Sequence, residues 1–511
     1  MGESRAKISP MWGTESMGLH TLVGGRMSTM GTVKELVRES HGGRSLLAVR
    51  PGNMRTMVVR GNLSGPASVV LLLGACGTSV EPTQTPAARP HIFLISIDTL
   101  RQDHVGLYGY ERDTTPVIDE LARSSLVFER AYTTASYTLI AHMSMLTGMY
   151  PRQHGVLTPR NILSERVPTL AERLHEAGYY TMGFHFPGWL DENYGFGRGY
   201  DHYESHRTAE IAEEHLFAAL NKAPKEKPLF CFVHLFDVHN ASLSRQQEAI
   251  YDPPAPFDQW FVKDAHEQIA GMKARWIWKK DGSTVSPSQH EAIVGMYDGG
   301  IRYVDTKLGE WIENFRARGL FEDSLFVVTS DHGEGLHQRT KTYSGHGGVF
   351  EEGLVVPFLV RFPGGHLGGV RVPGPVSHVD LLPTLMAALG LSVDDRLPGF
   401  SLLEGRPKGA PLFAERPGID AMVQWPWKLV QRADNGRNYL YNLEADPLES
   451  TNLVQGKRLA ENAQRFESML ELSEQSLDQR FQPEEATPQA DGRSEETRQL
   501  LRDLGYADDS D

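Results

Sequence analysis

The chain has 511 residues, 40% of them hydrophobic and 23% charged, and carries a net charge of −14. That length holds either several domains or one large α/β domain with a small appendage, and the composition is that of an ordinary globular enzyme. The acidic balance argues against a nucleic-acid binder, which needs a basic face, although much of the excess lies in the C-terminal tail and says little about any active site.

Residues 1–53 show no sustained periodicity, many Gly and Met residues and a basic bias, and read as a leader or mis-started N-terminal extension. Residues 54–76, MRTMVVRGNLSGPASVVLLLGAC, place Arg55 and Arg60 ahead of a short apolar segment that ends in LGAC. The segment is too short to span a bilayer and has the plan of a secretory signal peptide. Its ending resembles a bacterial lipobox, which makes Cys76 the lipidated first residue of an exported lipoprotein, periplasmic or in the outer membrane. Several acyl chains on that cysteine would anchor it firmly. An ordinary apolar loop is the alternative. Residues 77–90 are a Thr/Pro/Ala-rich linker, and a start at Met54 or Met57 makes better sense than Met1. Besides Cys76 only Cys231 is present, inside PLFCFVHLF where it reads as core filler, so no disulfide framework is built in.

Residues 91–110, HIFLISIDTLRQDHVGLYGY, open with a nearly uninterrupted apolar run, the pattern of a central strand covered on both faces. Asp98 follows at once. A carboxylate at the end of a buried strand is costly unless a cation neutralises it, and ligands of open α/β sheets bind at such ends. A metal-ligand aspartate and a helix-capping aspartate are both open on this stretch alone. A turn with Pro116, a helix and a second apolar stretch follow. In TTASYTLIAHMSMLTGMY, Thr138 precedes a helix-like run, where the dipole and free N–H groups suit a nucleophile attacking an anionic ester. A simple N-cap threonine is the competing reading.

VPTLAERLHEAGYYTMGFHF reads as helix, Gly stop and strand, and GFGRGYDHYE as a Gly-rich loop. KPLFCFVHLFDVHN is another buried strand with His234, Asp237 and His239 toward its end, three polar groups whose convergence points to a site. Residues 241–290 have no clean period and read as a long insertion. AIVGMYDGGIRYVDTKLGEWIENFRARGL is a long amphipathic helix stopped by Gly319. SLFVVTSDHGEGL then repeats the opening theme, a buried strand followed by Asp331 and His332. Carboxylates with an imidazole make a ligand set for Zn²⁺ or Mn²⁺, and less typically for Ca²⁺.

With these blocks in order, the chain resembles the sulfatases of the alkaline phosphatase-like superfamily over about residues 90–452. LISIDTLRQDHVGLYGY is similar to the family's first metal strand and SMLTGMYPRQHGV to the tail of its signature. IRYVDTKLGEWIENFRARGLFEDSLFVVTSDHGEGL, SGHGGVFEEGLVVPFLVRFPG and VSHVDLLPTLMAALGL are similar to further family blocks. WKLVQRADNGRNYLYNLEADPLESTNL resembles the C-terminal subdomain. The resemblance implies an α/β fold with a doubly wound central sheet at 91–400 and a smaller antiparallel-sheet subdomain at 401–452; beyond it, the composition of 453–511 reads as an acidic helical or disordered tail.

Carried over by position, the resemblance makes Asp98, Asp331 and His332 metal ligands and Thr138 the nucleophile, its hydroxyl completing the shell of a divalent ion (Zn, Mn or Ca). The sequence departs from the family pattern at several places. Thr138-Leu139-Ile140-Ala141-His142 replaces C/S-x-P-S-R, so no Cys or Ser can become formylglycine. Thr99 stands where many members have a second aspartate, His332 where an asparagine is usual and His346 where a lysine is usual. His239 matches a substrate-contacting histidine. A threonine cannot expel sulfate by elimination, so its covalent ester must be cleaved by water. The implied function is hydrolysis of sulfuric or related anionic esters of a small molecule or glycan. His239 or His346 protonates the leaving group, His142 and His234 orient the anion, and His185 is a weaker candidate. A phosphodiesterase or phosphotransferase on the same scaffold is the alternative, and an inactive glycan-binding lipoprotein the second.

Overall fold

The structure is a computed structural model that describes residues 19–23, 26–30, 89–239, 250–270, 285–336, 344–346, 348–480 and 487–488. Cys76 and the expected signal peptide and linker lie outside the described residues, apart from the last two residues of the linker. Leu19–Val23 and Arg26–Met30 pair as an antiparallel ladder in a stretch where the sequence gives no sign of an element. Among the described residues, no helix is long and apolar enough to cross a membrane.

The apolar run before Asp98 forms β1, Ile92–Ile97, and every residue of it is buried, as a strand covered on both faces must be. Around it stand β2 (Leu126–Tyr132), β3 (Tyr180–His185), β4 (His202–Ser205), β5 (Leu229–Leu235), β6 (Leu325–Ser330), β7 (Val355–Val356), β8 (Phe358–Arg361) and β9 (Arg371–Ser377). These make one nine-stranded sheet in which β6, β1, β5, β3 and β4 are successive parallel neighbours. On the other side of β6, β8 runs antiparallel, and the β7–β8 stretch pairs antiparallel with β2, which β9 joins in parallel.

Among the described residues, six helices flank the sheet: α1 (Pro116–Ala122), α2 (Thr138–Thr147), α3 (Leu170–Glu176), α4 (Ala209–Lys222), α5 (Pro287–Ala317) and α6 (Leu381–Ala388). Strand side chains alternate between faces. Phe93, Ile95 and Ile97 of β1 share a core with Trp311 and Phe315 of α5, whereas Ser96, on the other face, bonds to His142 of α2. The sheet is therefore wound on both faces, as expected. Thr169 and Glu172 cap α3 reciprocally, and Gly319, at φ +69, ends the long helix.

Three boundaries differ from the sequence reading. The long helix starts at Pro287, before AIVG, because Ser286 and Gln289 form a capping box there. The end of the Gly-rich stretch is the edge strand β4. Within the expected insertion, residues 250–270 hold the short turns Phe257–Gln259 and Ala265–Gln268.

A second, four-stranded antiparallel sheet follows: β10 (Leu412–Arg416), β11 (Ile419–Gln424), β12 (Trp427–Arg432) and β13 (Arg437–Asn442). Helix α7, Arg458–Arg480, sets Met469 against Leu429 and Leu440 of this sheet.

Candidate active site

Parallel pairing in register sets the site. Ser96 lies opposite His234 on one side and Thr329 on the other, and Ile97 lies opposite Ser330. Asp98 and Asp331, one step beyond those partners, therefore emerge side by side at the carboxyl ends of β1 and β6. Helix α2 delivers Thr138 to the same place. Thr138 is the first residue of that helix and Tyr137 occupies the N-cap position, so the threonine is not the cap. Its Oγ1 lies 3.3 Å from Nε2 of His332. His332 Nδ1 is 2.9 Å from the carbonyl of Gly333. A carbonyl only accepts, so Nδ1 carries the proton and Nε2 turns a lone pair toward the hydroxyl.

The carboxylates are buried completely. Asp331 Oδ1 accepts from the amides of His332 (2.8 Å) and Thr99 (3.2 Å). Among the described residues, Asp331 Oδ2 and both oxygens of Asp98 have no hydrogen-bond partner. Such orphans are expensive unless a cation takes them. The ligand atoms of Asp98, Asp331 and His332 lie within 4.8 Å of one another, a donor set that fits a divalent ion. Burial, followed by the charge of Asp331, pushes the Asp98 carboxyl well above its usual range. Burial opposes ionisation of Asp331 as well, but His332, His142, His234 and the Thr99 amide outweigh it and hold this carboxyl well below the ordinary range. Of the pair, Asp98 therefore holds a proton the more readily, and a bound cation would favour its ionised form.

Thr99 adopts φ +55, a left-handed backbone that a β-branched residue rarely takes and that costs on the order of 1–3 kcal/mol. The conformation aims its amide at Asp331, and Tyr297 fixes it by donating to the Thr99 carbonyl at 2.7 Å.

Five more histidines surround this centre. His142 Nδ1 is 3.0 Å from the Thr138 carbonyl and its Nε2 is 2.9 Å from Ser96 Oγ. Its ring packs against His234 with centroids 4.5 Å apart, and His234 Nε2 lies 3.2 Å from Asp98 Oδ2. Burial lowers both imidazoles, to about 3 for His142 and about 4 for His234, so both are neutral. On another side, the His346 ring is 4.6 Å from that of His332 and 5.0 Å from that of His239. His239 stacks on Phe236 and is held well below the ordinary imidazole range by burial, then by His346 and His332. His346 Nδ1 lies 3.6 Å from the Glu334 carboxylate. His185 is further out: its Nδ1 is 2.9 Å from the Phe186 carbonyl and its ring stacks on Tyr203.

The structure thus gathers Asp98, Thr138, His142, His234, His239, Asp331, His332 and His346 at one end of the sheet. Glu334 is the residue the sequence reading missed. It is completely buried, and among the described residues neither carboxylate oxygen has a hydrogen-bond partner. Its signal was the second acid of DHGEG, two residues beyond His332.

The sulfatase family profile matches residues 90–391. The chain belongs to the sulfatase family. It is a sulfatase-family hydrolase, and the family's dependence on a metal agrees with the orphaned carboxylates. It is 23% identical over 465 residues to an arylsulfatase of Clostridium perfringens, covering 75% of this chain and 94% of that one. A Delta 4,5-hexuronate-2-O-sulfatase of Bacteroides thetaiotaomicron is 23% identical over 462 residues, with coverages of 78% and 91%. A phosphonate monoester hydrolase of Agrobacterium radiobacter superposes with a TM-score of 0.59 at 21% identity, over 76% of this chain and 96% of that one. At that identity the superposition speaks for the alkaline phosphatase-like fold alone.

Proposed function

We propose that this sulfatase-family protein hydrolyses sulfuric esters of a small molecule or glycan, with the Thr138 hydroxyl as nucleophile. The observation that carries the reading is Thr138 Oγ1 at 3.3 Å from His332 Nε2, beside two buried carboxylates with orphaned oxygens. Asp98, Asp331 and His332 would hold a divalent cation, with Thr138 Oγ completing the shell. When bound, the cation lowers the pKa of the hydroxyl and polarises a non-bridging ester oxygen.

The start of α2 presents Thr138 at the positive end of the helix dipole, which favours its alkoxide. Thr138 Oγ, its proton released to solvent, bonds to sulfur as the sulfur–oxygen bond to the leaving group breaks. His346 donates a proton to the departing alkoxide, with Glu334 placed to hold that imidazole in orientation. His239, kept neutral by its surroundings, suits the opposite task of accepting a proton from the water that cleaves the threonine ester. His142, 3.0 Å from the Thr138 carbonyl, and the neighbouring His234 would orient the bound anion.

A second reading is hydrolysis or transfer at phosphorus, in a phosphodiester or phosphonate monoester. The identity of residue 138 favours it, because a threonine has no second hydroxyl with which to eliminate sulfate and both reactions need attack by water. Side-by-side assay of an aryl sulfate, an aryl phosphodiester and an aryl phosphonate monoester tests these readings. Turnover of the sulfate above the other two supports the first; turnover confined to the phosphorus esters replaces it with the second. Silence toward all three, with metal bound, returns the protein to a glycan-binding role. Export and a lipid anchor at Cys76 belong to the same proposal, and metabolic labelling with a fatty-acid analogue, lost in Cys76→Ala, tests them.

A further inference from the structure

Asp331 Oδ2 stands near imidazole nitrogens on two different elements: 3.5 Å from His332 Nε2 and 3.7 Å from His142 Nδ1. Two ligands of one ion, each at about 2.1 Å and at a tetrahedral angle, are about 3.4 Å apart and never further apart than about 4.2 Å. Both separations are therefore of the size that a shared ion imposes. Each belongs to its own triad: Asp98, Asp331 and His332 offer atoms within 4.8 Å of one another, and so do His142, His234 and Asp331. The five residues do not meet in one such group. A single ion consequently cannot take all five without rearrangement, and Asp331 is the one residue common to both sets.

The second triad has its own unsatisfied atoms. His234 is buried, with 1% of its surface exposed, and its Nε2 faces Asp98 Oδ2 at 3.2 Å without an aligned hydrogen bond among the described residues. His142 keeps a partner for Nε2 in Ser96 Oγ when Nδ1 exchanges its proton for a metal, the outer-shell arrangement that fixes ligating histidines. The bond it gives up is the one to the Thr138 carbonyl.

We infer that His142, His234 and Asp331 form a second divalent-cation site, with Asp331 bridging two ions of the Zn²⁺ or Mn²⁺ class. Two imidazoles and one carboxylate select a borderline transition ion over Ca²⁺, which takes oxygen ligands. Ions sharing one carboxylate stand about 3.5–4 Å apart in two-metal esterase sites. The inference rests on the metal site of the proposed function but not on its substrate.

The test is a metal count on the full-length chain, stripped with chelator, titrated with Zn²⁺ alone and separated from free ion by gel filtration. Two equivalents are expected for the wild type, and one each for His234→Ala and Asp98→Asn, with circular dichroism checking that the variants are folded. One equivalent in the wild type, or two retained in His234→Ala, overturns the inference. Loading with Mn²⁺ gives a reading that needs no variant: an exchange-coupled pair in the electron paramagnetic resonance spectrum supports two ions, and an isolated six-line signal at saturation overturns them. Neither measurement depends on turnover. Inactivity toward every ester, with two ions bound, would sink the hydrolytic reading and leave this one standing.

Discussion

Thr138 has one hydroxyl, one neighbouring imidazole at 3.3 Å and a buried position at the start of a helix. Removing only the hydroxyl should therefore separate chemistry from binding. Thr138→Ala is expected to lose activity by at least about a thousandfold, as loss of a nucleophile does, while retaining the ion held by Asp98, Asp331 and His332. Thr138→Ser keeps the oxygen and should keep measurable turnover. Steady-state rates and metal analysis of the two variants decide it: full activity in the alanine variant would end the nucleophile assignment. Much of this was legible from residues alone. Asp98 and Asp331 each follow an apolar run that reads as a buried strand, and a carboxylate there is costly without a cation, although at Asp98 a helix cap was equally open. What no local pattern could show was that His142 and His234 converge beside them, because that depends on the pairing of Ser96 with His234 across two strands far apart in sequence.

At the level of elements, the segment after β6 is held by a close backbone crossing. A Cβ on Gly333 would come within 2.0 Å of the Glu352 carbonyl oxygen and 3.2 Å of the Arg101 side chain. The Gly333 amide donates to the Gly353 carbonyl at 3.0 Å, and Ser136 bonds to the Gly348 carbonyl. The stretch 348–354 thus touches both the residue after His332 and the loop that leads into α2. Gly333→Ala should push these apart, at a cost of about 1–3 kcal/mol, and should weaken Zn²⁺ binding because the Gly333 carbonyl orients the His332 ring. Competition with a chromophoric chelator measures this; an unchanged affinity would show that the crossing does not hold the ligand. Element order was readable because each unit carried its own punctuation, such as Thr169 and Glu172 at one helix start and Gly319 at another's end. The early start of α5 was also written, in Ser286, Pro287 and Gln289, but within a stretch that otherwise looked like loop. The reversed direction of β7 and β8 was not, since VVPFLVRF is equally apolar in either sense.

The whole molecule is joined and tuned by buried charge. Lys428 of β12 is fully buried between Glu449 at 2.7 Å and Glu351 at 2.9 Å, and Glu351 opens the turn beside the site segment while also accepting from Tyr132. Lys428→Met would strand the buried Glu449 carboxylate and the half-buried one of Glu351 and should cost about 3–5 kcal/mol in urea unfolding; a loss below 1 kcal/mol would mean the small sheet is held by apolar packing instead. Buried histidines set the response to acid. His154, His206 and His378 all titrate at about 3, lowered first by burial. His154 shows why: Nδ1 accepts from the Val156 amide at 3.1 Å, so Nε2 carries the only ring proton and faces Ser144 Oγ at 3.0 Å. In the unfolded chain each imidazole takes up its proton near 6.5. Between these values the unfolded state binds more protons, so stability must fall as the pH falls. Three such groups give a slope of about 4 kcal/mol per pH unit between roughly pH 6 and pH 4, added to whatever the metal ligands contribute. Urea midpoints should therefore drop steeply below pH 6. His154→Gln, whose amide can both donate and accept, should remove about a third of that slope, and a profile flat from pH 7 to pH 5 would show that these histidines are not held neutral by the fold.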